Sequence, residues 1–153
     1  AAINAALEMP ELFSRVVADS FDGSVLPEGF ADAIIRERRS AKKDVQARGF
    51  YEWCQGEDWE TVVDQDTEAL VNYERSQARI FGRPIETIRV PLFITVSRED
   101  EMLANDMDAE CARLHAANPD ISYKIYDTGA HPLIASRAEE IAEAVKGFLA
   151  GGR

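Results

Sequence analysis

The run Val90-Pro91-Leu92-Phe93-Ile94-Thr95-Val96-Ser97-Arg98-Glu99-Asp100 decides how this chain folds. It is apolar and rich in β-branched residues, and it ends abruptly in acids. Residues 88–96 therefore read as a buried parallel strand, with Asp100 just past its end. A second short run follows in which Ile121, Tyr123 and Ile125 alternate as a strand requires. It leads into Tyr126-Asp127-Thr128-Gly129-Ala130-His131-Pro132. In open parallel sheets the chemistry gathers at the carboxyl ends of strands. An acid after one strand and a histidine after the next both belong at that end. A histidine oriented by a carboxylate supplies two members of a nucleophile–base–acid triad.

Working outward, the segment between the two runs reads as a helix. Asn105-Asp106 can cap it, and Met107, Cys111 and Leu114 recur at i, i+4 and i+7. Asn118-Pro119 ends it. Beyond His131, Ser136 with Glu139 forms a capping-box pattern. The last helix then presents Ile141, Ala144, Val145, Phe148 and Leu149 on one face, and Gly151-Gly152 terminates it. Towards the start, residues 1–9 read as the end of a helix stopped by Pro10. Residues 15–19 read as another buried strand, and Asp22-Gly23-Ser24 as a turn. The texture changes between Pro27 and Arg79, where Phe30, Ile34 and Ile35, then Phe50 to Trp53, then Trp59 to Tyr73 suggest two to four amphipathic helices. Strand, helical insertion, strand, helix, strand, helix is an α/β layout with a parallel sheet covered on both faces.

The chain has 153 residues, enough for one domain with a real core. Its formal net charge of -11 disfavours nucleic acid and anionic membrane surfaces as partners. No stretch approaches the roughly 20 apolar residues that span a bilayer. Two cysteines, Cys54 and Cys111, make no disulfide framework, so a reducing cytoplasm is the simpler inference. The chain opens without Met, and Ala1 to Leu7 reads as a helix already under way.

Three segments resemble the C-terminal half of the α/β-hydrolase family. Met9-Pro10-Glu11-Leu12-Phe13-Ser14-Arg15-Val16-Val17-Ala18-Asp19 is similar to the helix end and sixth strand that follow the nucleophile elbow. Val90 to Asp100 is similar to the seventh strand and acid turn, with Ser97 where many relatives have glycine. Gly129-Ala130-His131 and the helix to Leu149 are similar to the histidine loop and final helix. The resemblance implies a partial α/β-hydrolase core at 1–26 and 85–153, and a helical cap or lid at 27–84. It implies hydrolysis of an ester, thioester or similar small carbonyl substrate. The nucleophile would fall about five residues before Ala1, on an elbow that residues 1–153 lack. His131 would be the general base and then the general acid, and Asp100 would hold its tautomer. An oxyanion hole is worth about 3–4 kcal/mol per donor. Without it and without a nucleophile, these 153 residues alone are expected to be inactive. The partner is then the missing N-terminal half, or a second copy at the edge of strand 15–19. A non-catalytic ligand- or partner-binding protein on the same fold is the alternative.

Each candidate has a plainer reading. Asp100 sits among Glu99 and Glu101, which could be a solvated acidic turn, and Asp19 is the substitute acid if Asp100 points away. His131 could be a histidine with no role. Phe50, Tyr51, Trp53, Trp59 and Tyr73 either line an apolar substrate pocket or pack the cap on itself, and helical spacing does not separate the two. Ser20, near a strand end, could line the pocket, but like Ser24 it lacks the glycines of an elbow. Cys54 lies in the cap with no elbow around it. Cys111 and His115 stand i, i+4, but zinc needs three or four ligands, so no metal is expected. No cofactor is expected either. The basic cluster of Arg36, Arg38, Arg39, Lys42, Lys43 and Arg48 reads as a solvated cap-helix face.

Overall fold

A computed structural model describes residues 1–26, 28–76, 80–100, 102–103 and 106–151. Strands β1 (Val16–Asp19), β2 (Leu92–Ser97) and β3 (Ile121–Tyr126) form a parallel sheet in the order β1-β2-β3. The central strand β2 is buried along its whole length, which is why it reads as a continuous apolar run rather than an alternation. Helices α1 (Ala2–Glu8) and α5 (Met107–Ala117) supply apolar side chains to one face. Ile3, Ala6 and Leu7 from α1 and Met107, Cys111 and Leu114 from α5 join Leu92, Ile94, Val96 and Ile121 in one core. On the other face, α7 (Ala138–Ala150) packs through Phe148, whose ring stacks on Phe93 at 5.3 Å. Burying an aromatic pair of this kind adds about 0.5–1.5 kcal/mol beyond its area.

The strand expected at 88–96 is displaced. Ile85–Thr87 is a 3-10 turn entered through Pro84, and the ladder begins only at Leu92, whose N–H donates to Asp120. Pro91 has no N–H to give the ladder, although its carbonyl accepts from Val16. Ile88 and Val90 are buried in the core without being strand. The capping box at Ser136 and Glu139 does not form. A short helix α6 (Leu133–Ser136) precedes α7, and the Ser136 hydroxyl donates to the Ala130 carbonyl at 2.7 Å instead. Helix α7 starts one residue after Arg137 with no side-chain cap. Leu149 is 55 % exposed, because the buried stripe of α7 runs through Ile141, Val145 and Phe148. Asp106 caps α5 by accepting the Ala109 N–H at 3.1 Å; Asn105 and Gly152 lie outside the described residues.

The chain divides into two compact units, Ala1–Val25 with Arg79–Arg153, and Leu26–Ala78. The second unit is helical: α2 (Phe30–Ala41), α3 (Val45–Gln55) and α4 (Trp59–Arg75). Its small core joins Ala31 and Ile34 to Val71, and the α2 start is held by Glu74, which accepts the Ala31 N–H at 2.9 Å. Asp44 caps α3 through the N–H groups of Gln46 and Ala47.

Candidate active site

Asp100 ends the turn that leaves β2. Its Oδ1 accepts the Met102 N–H at 3.0 Å, and its side chain is fully buried. Its Oδ2 lies 3.1 Å from His131 Nδ1. A carboxylate only accepts, so this contact puts the imidazole proton on Nδ1 and leaves Nε2 as the basic nitrogen. The His131 side chain is 37 % exposed. The structure thus brings together the acid and the histidine singled out from the sequence, 31 residues apart.

The histidine loop is built to hold one shape. Gly129 takes φ 141°, in the region that favours glycine, and a Cβ there would stand 2.5 Å from Leu133 Cδ1. Arg137 Nε donates to the Thr128 carbonyl at 3.0 Å. At the acid turn, Arg98 donates twice to Asp108, at 3.0 and 2.5 Å, and also to Asp127, where the histidine loop begins. The Arg98 guanidinium holds the Asp108 carboxyl below the usual carboxylate range. A pocket of about 170 Å³ beside Asp100, bounded by Ser97, Leu103 and Met107, is smaller than a typical ligand site.

Asp19 and Ser20 have other work. Asp19 Oδ1 accepts from Thr95 Oγ1 at 2.6 Å and Oδ2 from the Ile134 N–H at 2.8 Å, so it is not the partner of His131 that a substitute acid would be. Ser20, at φ 49°, accepts the Leu133 N–H at 2.8 Å. The sequence carried one sign of this, a polar pair closing an apolar strand. The partners, 113 and 115 residues away, were not readable.

The aromatic candidates belong to the helical unit. Trp59 is buried and stacks on Tyr51 at 5.8 Å, Phe50 and Trp53 are exposed, and Tyr73 is half-buried on α4. Arg38 and Lys42 of the basic cluster pair with Asp66 and Asp64. Cys111 is wholly buried, and His115 Nδ1 faces the Ile121 carbonyl at 2.7 Å. Among the described residues no group of three or more His, Cys, Asp or Glu could hold a metal ion, and no helix is long and apolar enough to cross a membrane.

Solved structures share this fold. NosK from Streptomyces actuosus superposes with a TM-score of 0.78 at 19% identity, over 96% of this chain and 62% of its own. A serine hydrolase involved in carbazole degradation gives 0.61 at 15% identity, over 96% and 58%. Carboxylesterase CesB from Bacillus subtilis gives 0.57 at 18% identity, over 99% and 56%.

The chain has an α/β-hydrolase fold.

It spans about three fifths of the length of these α/β-hydrolase-fold chains. No family model and no curated protein matches the sequence. Within the α/β-hydrolase fold, β1, β2 and β3 are its C-terminal parallel strands, and Asp100 and His131 follow β2 and β3 at their carboxyl ends.

Proposed function

We propose that this chain is the C-terminal portion of an enzyme that hydrolyses an ester, thioester or similar small carbonyl substrate. His131 takes the proton of a nucleophile supplied from outside residues 1–153 and later returns it to the leaving group. Asp100 holds the imidazole with its proton on Nδ1 and stabilises the imidazolium as it forms. Residues 27–84 serve as the cap in chain order, with the exposed Phe50 and Trp53 and the half-buried Tyr73 as the substrate-facing candidates; Trp59 is buried against Tyr51, and Ser20 is taken up by the Leu133 N–H. The outer edge of β1 is where the remaining strands pair. The observation that carries this reading is the 3.1 Å contact between His131 and a fully buried carboxylate at the strand ends.

The test uses the complete protein, expressed with its upstream residues and assayed on short p-nitrophenyl esters and acyl thioesters. His131→Ala should lower kcat by about 10²–10⁴. Asp100→Asn should lower it by a comparable factor, because the wrong tautomer is then favoured. Turnover that survives either change overturns the assignment. Ligand binding without any turnover would point to the non-catalytic alternative. Residues 1–153 alone should show no rate above buffer.

A further inference from the structure

We propose that Asp19 and Ser20 are positioning residues that aim the His131 imidazole at Asp100. The inference deepens the reading above and shares with it the His131–Asp100 pairing. Pro132 has no N–H, so the first two backbone donors after His131 are Leu133 and Ile134, at the start of α6. Helix starts leave such donors without intrahelical partners. Here both are taken from across the sheet, Leu133 by Ser20 Oγ and Ile134 by Asp19 Oδ2, each at 2.8 Å.

The second carboxylate oxygen of Asp19 is fixed as well. It accepts from Thr95 Oγ1 at 2.6 Å, and Thr95 is wholly buried on β2, opposite Asp19 in the ladder. Asp100 continues from the same strand. The acid is therefore referenced to β2 through the chain, and the histidine is referenced to β2 through Thr95, Asp19 and Ile134. The buried Leu133 side chain, packed with Tyr126 and Ile141, sets the depth of α6. Side-chain packing is tolerant of rotation, whereas two directional hydrogen bonds are not. The bonds from Ser136 and Arg137 to the histidine loop come from the same segment and would turn with it.

The chain has two histidines, which makes the test direct. Long-range ¹H–¹⁵N spectra of the imidazoles, recorded across a pH series, report which nitrogen carries the proton in the neutral ring. His115 faces the Ile121 carbonyl through Nδ1 and serves as an internal reference for folding. In the wild-type chain both histidines should carry the proton on Nδ1. In the Asp19→Ala/Ser20→Ala double variant His131 should lose that preference and show a mixture, while His115 is unchanged. Asp19→Asn, which keeps a carbonyl acceptor, should restore the wild-type pattern. A His131 signal that stays on Nδ1 in the double variant overturns the positioning role and leaves the proposed function standing. If the double variant loses the His115 pattern, the two single variants decide by the same criterion. A wild-type His131 protonated on Nε2 overturns the pairing on which both proposals rest.

Discussion

Gly129 is a residue whose replacement the structure tolerates poorly. Its φ of 141° suits glycine, and an added methyl would meet Leu133 Cδ1 at 2.5 Å, Arg137 Cγ at 3.2 Å and Ser136 Oγ at 3.3 Å. Leu133, the residue it would meet, is wholly buried. Backbone strain and overpacking together give an expected cost of about 3 kcal/mol for Gly129→Ala. In a chain of this size that lowers the midpoint of thermal unfolding by roughly 6–12 °C. A melt within 2 °C of wild type, read by circular dichroism, would show that the loop adapts. The two thiols make a second contrast at this scale. Burial, reinforced by the nearby carboxylates of Glu110 and Asp108, pushes the Cys111 thiol up to about 11, whereas Cys54 is exposed. The thiolate is the reactive form, so at neutral pH a disulfide reagent should titrate one thiol per native chain and two after denaturation. Cys54→Ser should abolish the native reaction, and fast labelling of Cys111 would contradict the burial. The pairing of His131 with Asp100 was legible because each follows an apolar run. The links of Asp19 and Ser20 were not, since a hydrogen bond to a helix start a hundred residues away leaves no local pattern.

The elements are tied together by polar contacts that their apolar faces do not foretell. Helix α5 was readable from Met107, Cys111 and Leu114, all of which are buried. The tie from α5 to the turn after β1 was not. Ser24 Oγ donates to Glu110 Oε1 at 2.6 Å, and Arg113 donates to both Glu110 oxygens at 2.8 and 3.0 Å. The hydrogen bonds from Arg113, with the Ser24 hydroxyl adding to them, hold the Glu110 carboxyl below its ordinary 4.5. A carboxyl whose value is depressed on folding adds stability above its unfolded value and loses it as pH falls through the folded one. Wild type should therefore lose part of its thermal stability below about pH 4.5 through this group. Glu110→Gln should be less stable than wild type at pH 7, and the two should converge towards pH 3. A gap between the melting curves that stays constant with pH would show that the charge of Glu110 is not the source. The misread capping box belongs to this scale too. Ser136 with Glu139 has the right spacing, yet Ser136 is the last residue of α6, and Arg137 rather than Ser136 stands at the N-cap of α7. Sequence spacing does not register the break between the two helices.

For the whole molecule, the sheet poses the sharpest question. Its order is β1-β2-β3, so β1 borders on β2 alone among the described strands. The N–H of Val16 donates inward to Pro91, and strand alternation then turns the N–H and C=O of Val17 outward. An apolar strand with outward-facing backbone groups is a template for pairing with another chain. The parallel α/β arrangement was legible because β2 is apolar on both faces and β3 alternates. The edge at β1 was expected only from the family resemblance, because periodicity reports burial above and below a sheet and says nothing of neighbours within it. The prediction is that residues 1–153 self-associate through β1 as concentration rises, measured by sedimentation equilibrium. Val17→Pro removes an outward donor without touching the ladder to β2, since proline is tolerated on the open side of an edge strand. It should shift the distribution to monomer while leaving the melting temperature of the monomer within a few degrees. Association that is unchanged in Val17→Pro would place the contact elsewhere, for instance on the exposed Phe50 and Trp53 of α3, and a Trp53→Ser variant would then take its place as the monomer. If the proposed function holds, a strand supplied by residues upstream of Ala1 should have the same effect as Val17→Pro, because a strand laid against β1 satisfies the groups that otherwise recruit a second copy.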